Sequence, residues 1–579
     1  MGKRIIAIDT ETTGLNPSDV PFAVGICKQN LKKSFFRWKP WDIFTPKCFY
    51  KIRKYLEDPN TIKVFFNAIY DLVKIRKMSI EGVPIEVKGK IHDVYIMARI
   101  ILRDEPKHNL RDLAISQLHE DDDLTEIKIN KLTKGRNKIK YYELPRKLLK
   151  KHCKKDIEYT MKMFYYLKTS GVLKDPIYKL ESKLIPVIVD MESVGVGVDL
   201  DYCKEKEIEF TRKIKRIEKY FYKEYGIEKL SSTKQLQDLL YHKMRLVPPH
   251  TTKEGDPSTD ALALILLRDE NIDIEKIETY RGLKHSLTNY FIPLQTKSVN
   301  GTVYPHFNPM GDIDRVGIPT GRFSCNGPNL QSIKRGMEIR KCFIPRPGYF
   351  MVAHDYSQIE MRLYAYLSND EMMLKAYRNG ESIHKLHQQS FVDPYIKNVG
   401  HEKDGKGVNY AIAKNIGFGI LYGIGPKGMK QYLDKNEIHL PVNLVDKMLR
   451  GWHRAHPSLV EMRKELDKEL RKHGYITDIF GRKYFLPQWR SYVAVNYLIQ
   501  GTAAGIIKSA MIEAHERLQG TGARAIITLH DELVHEIPEG KEKLIDEITD
   551  AMENIKHDAF RISLPTEHKA SHKNWGECK

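Results

Sequence analysis

The stretch FMVAHDYSQIEMRLYAYLS, residues 350–368, decides the fold. Its first four residues are apolar and predict a buried strand. A helix is expected to follow, because Ile359, Leu363 and Tyr366 recur at helical spacing on one apolar side. Asp355 falls at the carboxyl end of the strand, where open sheets present their ligands. A carboxylate there is costly unless a cation or a donor meets it, so the stretch predicts a charged site on a strand–helix unit.

A second group of acids lies in AIITLHDELVHEIP, residues 525–538. Two apolar, strand-like runs flank His530, Asp531 and Glu532, which predicts a β-hairpin with acids at its turn. An ordinary polar turn has the same pattern, but the pairing with Asp355 favours a functional site. Two strand-end aspartates can hold two magnesium ions about 3.5–4 Å apart, the arrangement used for in-line phosphoryl transfer. Mg²⁺ suits such a site because it needs only one or two carboxylates.

A stripe of larger side chains lies between these acids, in NYAIAKNIGFGILYG, residues 409–423. Lys414, Phe418 and Tyr422 are four residues apart and share one face of a predicted helix. An aromatic stripe is most often part of a core, but a lysine within it is hard to bury unpaired. A cation beside flat apolar rings suits a nucleotide, with charge for the phosphates and a ring for the base.

A separate acidic group begins near the start of the chain, in IAIDTETTGL, residues 6–15. Asp9 and Glu11 alternate along a predicted strand and therefore point to the same side. Asp71 in FFNAIYD and Asp156 in HCKKDIEY are the other candidate ligands. Four such carboxylates predict a second two-metal site, in this case for hydrolysis. For Asp156, an ordinary surface acid is the competing interpretation.

Composition limits the classes of function. The 95 Lys and Arg residues exceed the 75 Asp and Glu residues and give a net charge of +20, which favours a polyanionic partner. Seven cysteines without a CxxC pair indicate a reducing compartment, with no disulfide framework and no zinc motif. The N-terminal apolar run is too short for a signal peptide, and no run approaches a membrane span. We therefore expect a soluble, cytoplasmic protein of a bacterial or phage-infected cell.

These segments resemble known motifs. Residues 350–368, 409–423 and the HDELV of the hairpin are similar to motifs A, B and C of the family A DNA polymerases, the DNA polymerase I type. DTETTGL and NAIYD resemble the first two motifs of the DEDD 3′–5′ exonucleases. The resemblance implies that Asp355 and Asp531 are metal ligands and that Glu532 is a supporting acid. It also implies two Mg²⁺ at each site, with Mn²⁺ able to substitute.

The resemblance also assigns residues to the nucleotide site. Lys414 and His384, in GESIH, would contact the phosphates, Phe418 the sugar and base, and Tyr422 the region near the template. Gln358 and Glu360 would complete this site. The segment 357–360 also fits a capping box, so we expect Glu360 to cap its helix and to close the space beside the sugar 2′ position. The resemblance implies a further set of DNA-contacting residues: Arg322, Gln331, Asn496, Gln500 and His530.

Four positions depart from the family pattern. Tyr410 and Tyr492 stand where the family usually has arginine, and Gly505 stands where it has an acid. His152 occupies the place of a tyrosine four residues before the last exonuclease aspartate. On a helix His152 would share a face with Asp156. It is then either a catalytic group that orients the attacking water or a surface residue of a lysine-rich helix.

The sequence predicts an α/β exonuclease domain of the ribonuclease H-like kind, followed by an α+β right-hand polymerase domain with palm, fingers and thumb. The expected boundaries are 1–170 for the exonuclease domain, 171–180 for a linker and 181–579 for the polymerase domain. Within the latter we expect the thumb at about 195–298, the palm at about 299–370 and 510–579, and the fingers at about 371–509. The charge-rich stretch 119–143 is interpreted as a surface insertion, and no room is expected for an upstream 5′ nuclease.

The predicted function is a DNA-templated DNA polymerase with 3′–5′ proofreading. Its expected partners are primer–template DNA and deoxynucleoside triphosphates, without a membrane and with no processivity partner indicated. Two alternatives remain. A single-subunit RNA polymerase would share the two aspartates and the lysine, although Glu360 and the nuclease motifs argue against it. A nucleic-acid-binding protein that has lost catalysis would explain Tyr410, Tyr492 and His152.

Overall fold

The structure is a computed structural model. It describes residues 3–14, 16, 18–40, 46–103, 105–121, 124–134, 138–310, 320–333, 336, 338–396, 407–555 and 564–578. Two sheets of different construction organise the chain, one in its first third and one in its second half.

A five-stranded mixed sheet forms the centre of the first part. Its order in space is Lys33–Arg37, Pro21–Lys28, Arg4–Thr12, Thr61–Phe65 and Ile91–Asp93. The first three strands pair antiparallel and the last three pair parallel, so the central strand Arg4–Thr12 has one neighbour of each kind. Its residues 5–8 are apolar and buried. The α/β character predicted for this region is confirmed.

Helices cover this sheet. Their bounds are Cys48–Leu56, Ala68–Ile75, Val94–Ile101, Leu110–Leu118, Leu124–Thr133 and Arg146–Lys168. The last of them packs against strands Arg4–Thr12 and Pro21–Lys28 and buries Cys153, Ile157 and Phe164. The charge-rich stretch 119–143 contributes a helix and a short 3₁₀ turn, Tyr141–Glu143. Ile129 in that stretch is buried, so the insertion contributes a side chain to the domain core.

A four-stranded antiparallel sheet organises the second half. Its order is Arg524–Leu529, Glu532–Pro538, Tyr349–Tyr356 and Thr566–Ser571. The predicted hairpin is present, with His530 and Asp531 as its two turn residues. The predicted strand–helix unit is also present, as strand Tyr349–Tyr356 and helix Ile359–Leu367. Leu363 and Tyr364 are buried on this helix, whereas Tyr366 is only half-buried.

Helices surround this sheet and form the rest of the second part. Their bounds are Leu200–Tyr225, Thr233–Gln237, Ala261–Leu267, Asp273–Ser286, Ile292–Lys297, Glu371–Arg378, Ile383–His387, Val408–Leu421, Pro426–Asp434, Val442–Ala455, Pro457–His473, Ala494–Arg517 and Leu544–Glu553. Short strands join them in small sheets: Val196–Val198, Thr302–Val303, His306–Asn308, Ser324–Asn326, Phe343–Ile344, Tyr475–Thr477 and Lys483–Phe485.

The junction between the two parts is a packed helix. The predicted linker, 171–180, contains a 3₁₀ turn and the start of helix Pro176–Val194, where Asp175 caps the amides of Ile177 and Tyr178. These two residues are 4% and 3% exposed, so the C-terminal end of the predicted linker lies in a packed helix. The sequence indicated a linker through the turn residues of 170–176, and the buried Ile177 and Tyr178 follow directly after them.

Two further predictions can be compared with the structure. All seven cysteines are free thiols, as expected from their number and spacing. In the part of the chain that the structure describes, no helix combines the length and the apolar character needed to cross a membrane.

Candidate active sites

Asp355 and Asp531 lie next to each other at one end of the four-stranded sheet. Strand Tyr349–Tyr356 pairs with strand Glu532–Pro538 so that Asp355 is opposite Glu532. The amide of Tyr356 donates to the carbonyl oxygen of Asp531 at 3.3 Å, which fixes the hairpin turn beside the strand end. Both aspartates are half-buried. Two carboxylates on adjacent strands offer the hard oxygen ligands that Mg²⁺ prefers, so the residues present fit this cation.

Glu532 is engaged by protein donors. Its two carboxylate oxygens lie 3.0 and 3.1 Å from Nη1 of Arg340, and Nε1 of Trp575 donates to it at 2.7 Å. All three residues are at most 3% exposed, and the guanidinium also lies over the indole ring at 4.1 Å. Glu532 therefore joins the hairpin to two distant parts of the chain. Sequence reasoning gave Arg340 and Trp575 no role, because they are 192 and 43 residues from Glu532 in the chain.

Helix Val408–Leu421 carries the predicted nucleotide stripe. Lys414 is exposed on it and Phe418 is half-buried, while Tyr422 follows directly after its last residue. His384 is 2% exposed and its ring lies 5.9 Å from that of Phe418. The ring of Tyr410 stands edge-on to His384 at 5.7 Å, so the tyrosine in the usual arginine position supports this histidine by packing.

Glu360 is held by two residues from outside its helix. Its carboxylate pairs with the guanidinium of Arg322, and the hydroxyl of Tyr422 donates to it at 3.1 Å. The predicted capping box is wrong, because Gln358 takes the N-cap position with φ of 54° and makes no side-chain cap. Glu360 therefore does not cap its own helix. Instead, it connects helix Ile359–Leu367 with Tyr422 at the end of helix Val408–Leu421. The Gln358 side-chain oxygen has no hydrogen-bond partner among the described residues.

The predicted DNA-contacting residues surround this junction. Burial lowers the pKa of His530, and the nearby positive charge of Arg322 lowers it further. Gln331 lies in the short 3₁₀ helix Leu330–Ser332, which packs beside strand Arg524–Leu529. Asn496 and Gln500 are half-buried on one face of helix Ala494–Arg517, which packs against helix Ile359–Leu367. His530 thus lies beside Arg322, and the elements that carry Gln331, Asn496 and Gln500 pack on the palm strand Arg524–Leu529 or on helix Ile359–Leu367.

The acids of the first part converge at the end of the central strand. Asp9 and Glu11 lie on strand Arg4–Thr12, and Asp156 lies on the helix packed against it. Asp71 comes from helix Ala68–Ile75, where the amide and hydroxyl of Thr10 donate to its Oδ1 at 2.9 and 2.6 Å. The four predicted carboxylates therefore form one group, as the alternation of Asp9 and Glu11 suggested.

Burial and mutual repulsion raise the pKa values of the carboxyl groups in this cluster. Burial and then the charges of Asp71 and Glu11 raise the pKa of Asp9 well above its usual range. Burial raises the pKa of Glu11 to about 7, opposed by the charge of His152, and raises the pKa of Asp71 to about 7. Oε1 of Glu11 is buried and has no hydrogen-bond partner in the described part of the chain. Buried carboxylates clustered in this way fit divalent cations, which would offset their mutual repulsion.

Two other residues contact these acids. Nε2 of His152 lies 3.3 Å from Oδ2 of Asp156, so the expected shared face exists. The hydroxyl of Tyr141 donates to Oε2 of Glu11 at 2.9 Å. Tyr141 comes from the charge-rich insertion, and nothing in its local sequence indicated the contact.

A cleft of about 500 Å³ opens beside these acids. Asp9 and Asp156 line it together with residues of the segments around 107–112 and 126, including Lys107 and Arg111. Arg111 is fixed by Glu126 at 2.8 Å. Lys107 likewise pairs with Asp112, so both cations of the cleft are held by acids of the same lining.

Two family models match the chain. One, described as DNA polymerase family A, covers residues 200–577, and one, described as 3'-5' exonuclease, covers residues 2–171. The chain belongs to DNA polymerase family A.

Relatives in family A agree with this membership. The chain is 29% identical to DNA polymerase I of Chloroflexus aurantiacus over 87% of this chain and 54% of that protein. It is 26% identical to DNA polymerase I of Pseudomonas aeruginosa over 99% of this chain and 64% of that protein. The chain thus spans only part of the length of these relatives.

A solved structure shares the fold. The polymerase domain of Pol1 from M. smegmatis, solved with DNA primer-template and dNTP, superposes with a TM-score of 0.81 at 21% identity. The match covers 100% of this chain and 97% of that chain. The predicted architecture, an α/β domain followed by a right-hand polymerase domain, is confirmed.

The remaining departures from the family A pattern have local explanations. A Cβ atom at Gly505 would lie 2.3 Å from Cδ2 of Phe480, so no larger side chain fits there. Tyr492 is 52% exposed, and its carbonyl oxygen and ring approach Gly423, directly after Tyr422. Both positions lie outside the strands that carry Asp355 and the Asp531 hairpin.

Proposed function

We propose that this family A chain is a DNA-templated DNA polymerase that extends a primer 3′ end and proofreads with its 3′–5′ exonuclease domain. One observation carries the proposal: Asp355 and Asp531 meet at a sheet end that Glu360 joins to the nucleotide stripe through Tyr422. The names of the relatives, DNA polymerase I, support it. Its substrates are deoxynucleoside triphosphates and primer–template DNA, to which the net charge of +20 is suited.

Asp355 and Asp531 would hold two Mg²⁺, with Mn²⁺ able to substitute. When bound, these cations make the primer hydroxyl more acidic and stabilise charge on the phosphoryl group being transferred. Lys414 and His384 offset the charge that develops on the leaving pyrophosphate. Because His384 is buried against Phe418 and Tyr410, its ring is oriented before a nucleotide arrives.

Phe418, Gln358 and Glu360 would select the sugar. Glu360 is fixed by Arg322 and Tyr422, and a rigid carboxylate beside the 2′ position leaves no space for a hydroxyl. Exclusion of a 2′-hydroxyl by Glu360 favours a DNA polymerase over a single-subunit RNA polymerase. Arg322, Gln331, Asn496, Gln500 and His530 would contact the primer–template. Donors in the minor groove meet acceptors that both A·T orientations share, which suits a sequence-independent enzyme.

Asp9, Glu11, Asp71 and Asp156 would hold two Mg²⁺ for hydrolysis of the primer end. When bound, these cations lower the pKa of the attacking water. Tyr141 positions Glu11, and His152 beside Asp156 accepts a proton from that water in its neutral form. We place both activities in the cytoplasm of a bacterial or phage-infected cell, where DNA and nucleotides are available. The proposal assigns no processivity partner.

The test uses reciprocal variants. Asp355→Asn and Asp531→Asn should each reduce primer extension by more than about 100-fold, because even outer partners of metal ligands are worth 10–100-fold. Hydrolysis of single-stranded DNA by the same variants should stay near the wild-type rate. Asp9→Asn should do the opposite, abolishing hydrolysis while extension continues.

Two results would contradict the proposal. Robust extension by either palm variant in Mg²⁺ would exclude the two aspartates as essential ligands. A wild-type protein that binds primer–template but neither extends nor degrades it would favour the alternative of a binding protein without catalysis.

A further inference from the structure

Three buried side chains form a hydrogen-bonded row behind helix Val408–Leu421. Nδ1 of His456 lies 2.9 Å from Oδ2 of Asp370, and Nε2 of the same ring lies 2.9 Å from Nε2 of His387. All three residues are at most 3% exposed. The proposed polymerase chemistry uses none of them, although burying a carboxylate and two imidazoles is costly unless each has a partner.

The row joins elements that are far apart in the sequence. Asp370 caps helix Glu371–Arg378 with its other carboxylate oxygen. It comes three residues after the end of helix Ile359–Leu367, which carries Glu360. His456 lies between two long helices, one ending at residue 455 and one beginning at residue 457. The row therefore connects the sugar-selecting part of the proposed site with the junction of these two helices.

His387 brings the row to the proposed nucleotide site. It lies on helix Ile383–His387, three residues after His384, and the two rings are 6.5 Å apart. A Cβ atom at Gly417 would lie 3.6 Å from Nδ1 of His387, so this ring lies directly against helix Val408–Leu421. Residues three apart share a helix face. Fixing His387 therefore also fixes the helical turn that carries His384.

The hydrogen atoms of the row have a definite order. A carboxylate only accepts, so Nδ1 of His456 donates to Asp370, as the hydroxyl of Ser458 does at 2.6 Å. A contact between two Nε2 atoms needs a proton on one of them only, so a neutral His456 accepts and His387 donates. Burial lowers the pKa of His387 well below its usual value, which keeps its ring neutral. Its Nδ1 has no hydrogen-bond partner among the described residues, so His387 is oriented through Nε2.

We propose that Asp370, His456 and His387 are positioning residues for nucleotide binding, acting through His384. The row holds the histidine that would contact the phosphates at a fixed place relative to the helix of Glu360. The phosphate and sugar contacts of one nucleotide can then form together. A site ordered in advance loses less conformational entropy on binding than one whose elements move separately. The inference rests on the proposed polymerase function, because His384 has this role only there.

The experiment measures the affinity of the full-length protein for the next deoxynucleotide, on a primer–template whose primer ends in a dideoxynucleotide. No turnover is needed. His387→Leu removes the donor and should weaken affinity by about tenfold, within the range of coupling through a hydrogen-bond network. His387→Gln keeps a donor near the position of Nε2 and should recover most of that loss.

His453→Leu is the matched control. His453 lies on helix Val442–Ala455, one turn before His456, and its Nδ1 has no hydrogen-bond partner in the part of the chain that the structure describes. Loss of this histidine removes an imidazole from the same region without breaking the row. The nucleotide affinity of His453→Leu should equal that of wild type.

A double-mutant cycle separates positioning from general support of the fold. In a His384→Ala background, His387→Leu should weaken affinity by less than about twofold, because the group through which the row acts is absent. Asp370→Asn covers the case in which His387→Leu does not fold. Asparagine is also a good helix cap, but it lacks the charge that holds His456. Affinity should fall by about threefold or more, and only where His384 is present.

An equal loss of affinity with and without His384 would overturn the proposal, and so would wild-type affinity in a folded His387→Leu or Asp370→Asn protein. A protein whose nucleotide affinity depends on the row, but which does not extend a primer, would contradict the proposed function alone. One that extends a primer, with an affinity that these variants do not change, would contradict the positioning role alone.

Discussion

The side chain of Glu360 is fixed from two sides, which makes its effect on sugar selection testable. Glu360→Ala should raise ribonucleotide incorporation relative to deoxynucleotide incorporation by at least about tenfold, a change of 1.4 kcal/mol. Tyr422→Phe removes only the 3.1 Å hydrogen bond and should produce a smaller change in the same direction. The measurement is the ratio of kcat/KM for the two nucleotides opposite one template base.

Arg378→Ala is a useful control for that comparison, because Arg378 lies at the end of helix Glu371–Arg378, away from the contacts of Glu360. Its incorporation ratio should equal that of wild type. If Glu360→Ala gave the same ratio as this control, Glu360 would have no part in sugar selection.

Tyr141 holds Glu11 through its hydroxyl, so removing that one atom tests the contact. Tyr141→Phe should slow hydrolysis of single-stranded DNA by about 10–100-fold, the usual cost of losing a group that hydrogen-bonds to a metal ligand. Primer extension should not change, because the hydroxyl lies in the first part of the chain. Tyr142→Phe is the matched variant on the same 3₁₀ turn. Equal hydrolysis by wild type and Tyr141→Phe would show that Glu11 is oriented without it.

Single residues differed in how well the sequence predicted them. Asp9 and Glu11 could be placed together because strand alternation is local and strict. The contacts of Glu360 could not be predicted, because its partners Arg322 and Tyr422 are 38 and 62 residues away in the chain. The local pattern favoured a helix cap instead. Tyr141 is 130 residues from Glu11 and lies in a segment without periodicity.

The palm hairpin depends on a buried ion pair at its turn. Glu532→Ala would leave Arg340, which is 2% exposed, without its counter-charge, so we expect the free energy of unfolding to fall by about 3–5 kcal/mol. Glu532→Gln retains hydrogen-bond acceptor and donor atoms of the same size and should cost less. Denaturant unfolding of the three proteins provides the measurement.

The same variants separate two roles of Glu532. If it supports catalysis directly, Glu532→Gln will lose extension activity at a temperature where it is still fully folded. If its unfolding midpoint equals that of wild type, the buried pair does not stabilise the hairpin.

Secondary structure was predictable where its pattern was local. The strand–helix unit at 349–367 and the hairpin at 524–538 follow from apolar runs and their interruption by acids. The order of the palm sheet did not follow, because strand Thr566–Ser571 is mostly exposed and lacks an apolar pattern. The insertion at 119–143 was underestimated for a related reason: only Ile129 and Thr125 of its helix are buried.

Buried histidines give the molecule a defined response to acid. His92 is 2% exposed, its Nδ1 lies 2.5 Å from the hydroxyl of Tyr178, and burial lowers its pKa to about 4. An unfolded chain takes up this proton near pH 6.5, so the folded state loses stability as the pH falls from about 6.5 to about 4. His92→Gln should remove up to about 3 kcal/mol of this pH dependence. Thermal unfolding midpoints between pH 4 and 7 provide the test.

His473→Gln is the control for this prediction, because His473 is exposed at the end of its helix. Its unfolding midpoints should follow those of wild type across the whole range. A His92→Gln protein with the wild-type pH profile would show that this histidine is already charged, or already accessible, in the folded state.

Helix Pro176–Val194 has a practical consequence for anyone who divides this protein. It contacts helices Ala68–Ile75 and Val94–Ile101 on one side and helix Ala494–Arg517 on the other. Nζ of Lys508 forms an ion pair with Oε1 of Glu181 on this helix at 2.6 Å, and Asp190 forms ion pairs with both Arg76 and His515. A polypeptide that begins at residue 172 would expose the buried faces of Ile177 and Tyr178, and one that ends at residue 171 would uncover the helices they pack on. Fragments divided after residue 171 should therefore express poorly. A fragment made to study one activity needs either this helix or polar substitutions on the face that the division uncovers.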